Sequence, residues 1–184
     1  MKDIALHLLD VLENSPKAGA SKAIVSFSYE DSILSIKIED NGPGFPKIFA
    51  HNPSDPYATT RKERKVGLGL ALLSEACLQT GGKFETGVSK LLGGAMVDFS
   101  FDMSHPDSKP LGEISGVLSE VVTIWESVDW IFLIGENFFN SVDIKKELDG
   151  IPLNTPEVLK FIRQNLEELF SPLKKWATSI QLKI

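Results

Sequence analysis

Asp40-Asn41-Gly42-Pro43-Gly44-Phe45 decides how this chain is read. The hexapeptide follows Ser32 to Glu39, an alternating run in which Ile33, Leu34, Ile36 and Ile38 carry the apolar weight, so it sits where a strand ends. An acidic residue at that position can face a ligand. Two glycines within three positions permit positive φ and close backbone approach, and Pro43 between them stiffens the turn and removes a donor. Taken alone, the hexapeptide reads equally as a surface loop between a strand and a helix, so its neighbours must decide.

Upstream, Ala23 to Tyr29 and Ile33 to Glu39 predict a hairpin across a short acidic turn at Glu30 and Asp31. Before it, Ile4, Leu8, Val11 and Leu12 recur at helical spacing from Lys2 to about Ser15, with Ala5 and Leu9 widening the buried stripe. Asp10 and Asn14 lie one turn apart and share a face of that helix. Such residues are commonly just solvated. Their chemistry is nonetheless specific: Asn14 offers a neutral oxygen suited to a hard cation such as magnesium, and Asp10 a carboxylate that can orient or deprotonate a water or hydroxyl. Pro16 removes a donor and crowds the carbonyl of Leu12, so the helix must kink or end nearby.

Downstream, Phe45 to Lys65 shows no sustained period, collects Pro46, Pro53 and Pro56, and ends with four cations in the five residues Arg61 to Lys65. A segment of that length is a functional lid, a disordered stretch or a solvated basic loop. Gly67-Leu68-Gly69-Leu70 then starts an apolar helix that runs through Leu78 to Gly81-Gly82. Glycines at a helix start expose unpaired first-turn N–H groups, where anions bind favourably. The spacing fits neither the dinucleotide fingerprint nor a Walker A loop. Cys77 reads as a small buried hydrophobe. Lys83 to Ser89 and Ala95 to Asp102 predict two more strands around Gly93-Gly94.

Composition narrows the partners. With 184 residues, 42% hydrophobic and 24% charged, the chain has room for one generous domain or two small ones. A net charge of −6 argues against nucleic acid. No apolar run approaches the ~20 residues of a membrane helix, no signal-peptide pattern opens the chain, and the cytoplasm is the expected compartment. A lone cysteine and three separated histidines, His7, His51 and His105, give little support to a disulfide or to a thiolate or histidine metal centre.

The composition shifts near His105. Pro106 to Pro110 reads as a linker, Leu111 to Trp125 as a helix, Trp130 to Ile134 as a strand with a partner near Phe138 and Phe139, and Val142 to Leu148 and Pro156 to Phe170 as helices. Trp125, Trp130 and Trp176 are read as core residues, and an exposed one among them would mark a docking site. This divides the chain into residues 1–104 and a smaller α+β region, 105–184.

Asn14 within Asp-Val-Leu-Glu-Asn-Ser, then Asp40-Asn-Gly-Pro-Gly44, then Gly67-Leu-Gly-Leu70 at a helix start after a lid resembles, over about residues 1–104, the GHKL superfamily of ATP-binding proteins. That group joins DNA gyrase B, ninety-kilodalton heat-shock chaperones, sensor histidine kinases and MutL proteins. The resemblance implies a two-layer α/β sandwich, the Bergerat ATP-binding fold, with a mixed sheet under helices. It further implies ATP and Mg2+ as ligands. Asn14 matches the magnesium-binding asparagine, and Asp10 falls where several members carry a nucleophile-activating Glu. Asp40 matches the acceptor of the adenine amino group, Gly42 and Gly44 the glycines beside the base, and Gly67, Leu68 and Gly69 the phosphate loop. Thr60, Arg61, Lys62 and Lys65 belong to the lid, whose cations reach the terminal phosphate. Three departures stand out: Asp10 is one methylene shorter than Glu, Pro16 interrupts helix one, and Ala95 replaces a frequent Thr whose hydroxyl supports the adenine pocket.

Nothing resembles a phospho-acceptor helix, and His7 is read as structural. The expected function is an ATPase or a protein kinase of the histidine kinase-like, anti-sigma type acting on a separate protein. A nucleotide-gated binding module without turnover, and an unrelated α/β protein with coincidental glycine turns, are the alternatives.

Overall fold

The computed structural model describes residues 2–45 and 68–181. Strands β1 (Lys22–Glu30) and β2 (Ile33–Asp40) form the expected hairpin, Glu30 pairing with Ile33, so the turn falls one residue later than expected, on Asp31 and Ser32. Asp31 takes a φ of 51°, a left-handed value that short acidic side chains tolerate. Alternation sends Ala23, Val25 and Phe27, with Leu34, Ile36 and Ile38 beside them, into the core, and leaves Ser26, Ser28, Ser35 and Lys37 on the other face.

β3 (Phe84–Val88) and β4 (Ala95–Asp102) add antiparallel strands on one side of this hairpin. β5 (Asp129–Ile134) and β6 (Asn137–Asn140) add two on the other, β5 running parallel to β1. Among the described residues the sheet has six strands in the order β3-β4-β2-β1-β5-β6. One face supplies Val97, Phe99, Phe101, Trp130, Phe132 and Phe139 to a core shared with α1 (Ile4–Leu12), α3 (Leu68–Gln79), α4 (Ile114–Ile124) and α6 (Pro156–Gln181). The protein is therefore a two-layer α/β sandwich with a mixed sheet.

α4 starts three residues later than the expected Leu111, and two further boundaries differ for reasons that the chain shows. Helix one does not reach Ser15 but stops at Leu12, and Asn14 lies on a separate short helix, α2 (Asn14–Lys17). Pro16 has no N–H to offer the Leu12 carbonyl, so the break falls one turn upstream of the proline. The last helix runs past Phe170 and through Pro172 to Gln181. Leu173 and Ala177 continue the buried stripe of Val158, Ile162, Leu166 and Phe170, and that burial outweighs the one hydrogen bond a proline removes.

Residues beyond 105 join the same sheet and core. The segment read as a linker caps α1: Ile4 and Ala5 donate their N–H groups to the carbonyls of Pro110 and Leu111, both at 3.0 Å. The Asp3 carboxylate accepts the Leu6 N–H at 2.9 Å. From α6, Phe170 meets Phe27 edge-on at 4.8 Å and Trp176 lies against Tyr29 at 5.1 Å. Trp130 is fully buried, whereas Trp125 and Trp176 are half-buried. α5 (Ser141–Glu147) follows β6 and is started by Asn140, whose side chain accepts the Val142 N–H at 3.0 Å. No helix among the described residues is long and apolar enough to cross a membrane.

His7 is buried on α1, and neither ring nitrogen has a hydrogen-bond partner among the described residues. Burial first, and Lys109 second, lower its pKa to about 4, against a smaller opposing pull from Asp3. Below about pH 6.5 the unfolded chain binds a proton that the folded chain refuses until about pH 4, so this group's contribution to stability is complete above pH 6.5 and is lost as the pH falls through that window. Replacing His7 by Leu removes both unpaired nitrogens. Chemical denaturation is expected to find the variant at least as stable as the wild type at pH 7, and ahead of it by on the order of 2 kcal/mol more near pH 4.5.

Candidate functional site

The end of β2 brings a carboxylate under the helical layer, in the row begun by Leu34, Ile36 and Ile38. Asp40 is only 6% exposed. Burying such a group is costly unless donors surround it. Its Oδ1 accepts the N–H groups of Gly42 and Ala95, each at 2.9 Å, and its Oδ2 accepts the Ser15 hydroxyl at 2.7 Å. A carboxylate has about four acceptor positions, and donors among the described residues take three of them. The remaining position, on Oδ2, can receive an amino group such as that of adenine.

The two glycines of the hexapeptide serve different needs. Gly44 supplies a positive φ of 73°, whereas at Gly42 a Cβ would lie 3.2 Å from Asp40 Oδ1. Asn41 is spent on the start of β1, its side-chain oxygen accepting the N–H groups of Ser21 and Lys22 at 2.9 Å. From the β3–β4 turn, Gly94 donates its N–H to the Asp40 carbonyl at 3.0 Å. A Cβ there would stand 2.4 Å from that carbonyl oxygen and 2.5 Å from both Asp40 Oδ1 and the Gly42 nitrogen. Ala95 lacks a hydroxyl, yet its backbone N–H is what reaches Asp40.

Ser15 and Gly94 were not among the candidates drawn from the sequence, and Ala95 was noted there only for the hydroxyl it lacks. Ser15 stands beside Asn14 in the motif, but it is 25 residues from Asp40, and only the fold brings them together.

A second candidate carboxylate, Asp10, lies against the start of α3. A Cβ on Gly69, in the first turn of α3, would fall 1.9 Å from Asp10 Oδ2, so only glycine lets helix and carboxylate meet. Burial raises the Asp10 carboxyl above its ordinary range; Lys17 opposes the rise and Glu13 adds to it. Asn14 is exposed on α2, immediately before Ser15, and its amide has no hydrogen-bond partner among the described residues. A neutral oxygen so presented fits one position of a magnesium shell otherwise filled by water and phosphate oxygens. Among the described residues no group of three or more His, Cys, Asp or Glu forms a metal cage. Leu68 is half-buried at the first position of α3. Thr60, Arg61, Lys62, Lys65 and Gly67 lie outside the described residues.

Residues 2–105 match the sequence model of the histidine kinase-, DNA gyrase B- and HSP90-like ATPases, more than half of the 184 residues. The chain belongs to this family. Curated relatives of this histidine kinase-like ATPase domain include a putative NtrY-like sensor histidine kinase of Rickettsia bellii, 27% identical over 65% of this chain and 19% of that protein. The C4-dicarboxylate transport sensor protein DctB of Pseudomonas aeruginosa is 32% identical over 52% of this chain and 15% of its own length. Nitrogen regulation protein NtrY of Azorhizobium caulinodans is 30% identical over 58% of this chain and 15% of its own. The matches thus span less than a fifth of these relatives, 19% at most. Among solved structures, the mycobacterial sensor histidine kinase MprB superposes with a TM-score of 0.41 at 24% identity, over 52% of this chain and 66% of that one.

Family membership makes ATP the ligand against which Gly94 is tested. Because the atoms a Cβ would meet there include backbone as well as the Asp40 carboxylate, Gly94→Ala must displace Asp40 or its turn. Isothermal titration is expected to show at least a tenfold loss of ATP affinity for Gly94→Ala, while a neighbouring Gly93→Ala, where nothing lies within 4 Å but φ is 84°, costs mainly stability.

Proposed function

We propose that this protein binds ATP with Mg2+ and transfers the terminal phosphoryl group to water or to a separate protein, as an ATPase or a kinase of the histidine kinase-like, anti-sigma type. The observation that carries this reading is a buried Asp40 to which three donors among the described residues leave one acceptor position over. A carboxylate that only accepts suits the adenine amino group and repels the carbonyl that guanine and hypoxanthine carry at the same position. The glycines at 42 and 94 let the backbone close tightly around that carboxylate.

Asp10 is assigned the proton-accepting role. A carboxyl raised by burial is a better base than an exposed one, and the geometry beside Gly69 sets it at the first turn of a helix, where anionic phosphate is favoured. Mg2+ held by Asn14, when bound, offsets the charge of the triphosphate. Arg61, Lys62 and Lys65, with Thr60, are proposed to meet the terminal phosphate from the lid, beside Gly67 and Leu68. The acceptor is proposed to be another protein, because His7 is 1% exposed and closed to phosphoryl transfer. This reading assigns the protein to the cytoplasm, with residues 1–104 as the nucleotide domain and 105–184 as a second region.

A regulatory module without turnover is the second reading. It is favoured by the tight seat of Asp10 against Gly69, which leaves a short carboxylate little freedom to reach a nucleophile.

Asp40→Asn is expected to abolish saturable, magnesium-dependent ATP binding. Asp10→Asn is expected to keep binding and lose turnover by ~10²-fold or more. In the wild type, turnover should decline on acidification sooner than an ordinary carboxylate would dictate, because protonated Asp10 cannot accept a proton. Phosphate-release and pH–rate measurements check both, and wild-type binding with no turnover or protein phosphorylation at any pH selects the second reading.

A further inference from the structure

We propose that Glu39 and Ser89, on the far face of the sheet from the nucleotide, are positioning residues for base recognition. The proposal rests on the ATP-binding reading of Asp40 and extends it to residues that touch neither the base nor Asp40's side chain.

Glu39 precedes Asp40 on β2, so its side chain leaves the opposite face of the sheet. That face is otherwise lined by partly exposed residues such as Ser35 and Lys37, yet Glu39 is only 7% exposed. Its Oε1 accepts the hydroxyl of Ser89, itself 2% exposed, at 2.8 Å, and Lys37 Nζ approaches Oε2 at 3.4 Å. Ser89 Oγ in turn accepts the Leu92 N–H at 2.9 Å. A carboxylate is a costly choice for a buried site, and the arrangement calls for a reason.

Closing the β3–β4 turn is not that reason. The turn is already shut by its own backbone, with the Ser89 N–H on the Gly94 carbonyl at 2.8 Å and the Gly93 N–H on the Ser89 carbonyl at 2.9 Å. What the Glu39–Ser89 bond adds is the position of the closed turn relative to β2. Two successive residues of β2 hold it from opposite faces: Glu39 takes Ser89 at its start, and Asp40 takes the Gly94 and Ala95 N–H groups at its end.

The leverage is short. Because the Ala95 N–H at the end of the turn donates to Asp40 Oδ1 at 2.9 Å, a slide of a few tenths of an ångström alters a donor that orients Asp40. Releasing Ser89 frees the turn to make that slide. The carboxylate then loses the fixed direction of its open acceptor position, and with it the preference for an amino group over a carbonyl on the base.

The test compares ATP with inosine triphosphate, which carries a carbonyl where adenine carries its amino group. Dissociation constants are measured for the wild type, Ser89→Ala, Ser89→Thr and Glu39→Ala, with thermal unfolding of each to establish that it is folded. Ser89→Ala is expected to weaken ATP binding roughly five- to tenfold and to affect inosine triphosphate less, narrowing the selectivity, while Ser89→Thr restores both. Should Ser89→Ala not fold, Glu39→Ala reads the same contact from its other side. Folded Ser89→Ala or Glu39→Ala protein with wild-type ATP affinity and selectivity overturns the proposal. A wild type that binds neither nucleotide instead overturns the ATP reading on which it rests, and the two failures are thereby told apart.

Discussion

One buried carboxylate, at the end of a central strand, sets the terms for this site. Asp40 has no salt-bridge partner among the described residues, so neutral donors must satisfy it. Hydrogen bonds to charged groups are each worth about 1.5–3 kcal/mol, enough together to offset the desolvation only if all three are well aligned. They come from three separate segments: the short helix after the Pro16 break, the glycine turn that follows Asp40 itself, and the first residue of β4. Satisfying one side chain therefore fixes how helix one, the hexapeptide and the Gly93-Gly94 turn meet.

Asp10 is treated in the opposite manner. Asp40 is surrounded by donors, whereas Asp10 has no hydrogen bond among the described residues and sits against the α-carbon of Gly69. The environments differ sharply: donors fix Asp40, whereas burial raises the Asp10 carboxyl above its ordinary range. Asp10 lies on α1, whereas Ser15, whose hydroxyl reaches Asp40, lies on α2 beyond the interruption at Glu13.

The local parts of this design were legible in the sequence, and the long-range ones were not. Period-two alternation disclosed β1 and β2 because one face is buried and the other wet, and the acidic residue at the strand end followed from it. Gly67 and Gly81-Gly82 bracketed α3, which runs from Leu68 to Gln79. Pro16 announced a break, although the break falls at Glu13 because the proline disturbs the turn before it. In contrast, the Ser15–Asp40 and Ala95–Asp40 bonds span 25 and 55 residues, and no periodicity encodes them. The parallel pairing of β5 with β1 is equally non-local. The last helix, expected to Phe170, runs on for a different reason: burial of Leu173 and Ala177 carries it through Pro172, whose propensity alone would end it.

That parallel pairing bears on what the region after residue 105 can do. A segment joined by a flexible linker would leave the ATP-binding domain indifferent to whatever it bound. Here Pro110 and Leu111 hold the first turn of α1, Gly112 lies so close that a Cβ would come within 2.6 Å of Asp3, and α6 lays Phe170 and Trp176 against β1. α1 is thus gripped at its start by the C-terminal region and carries Asp10 near its end, little more than one and a half turns later. Packed elements of this kind move as units rather than deforming continuously. A partner that shifted the Pro110–Gly112 segment would act on the helix that bears the proposed base, and a nucleotide that pulled on Asp10 or Asn14 would act back on the same segment.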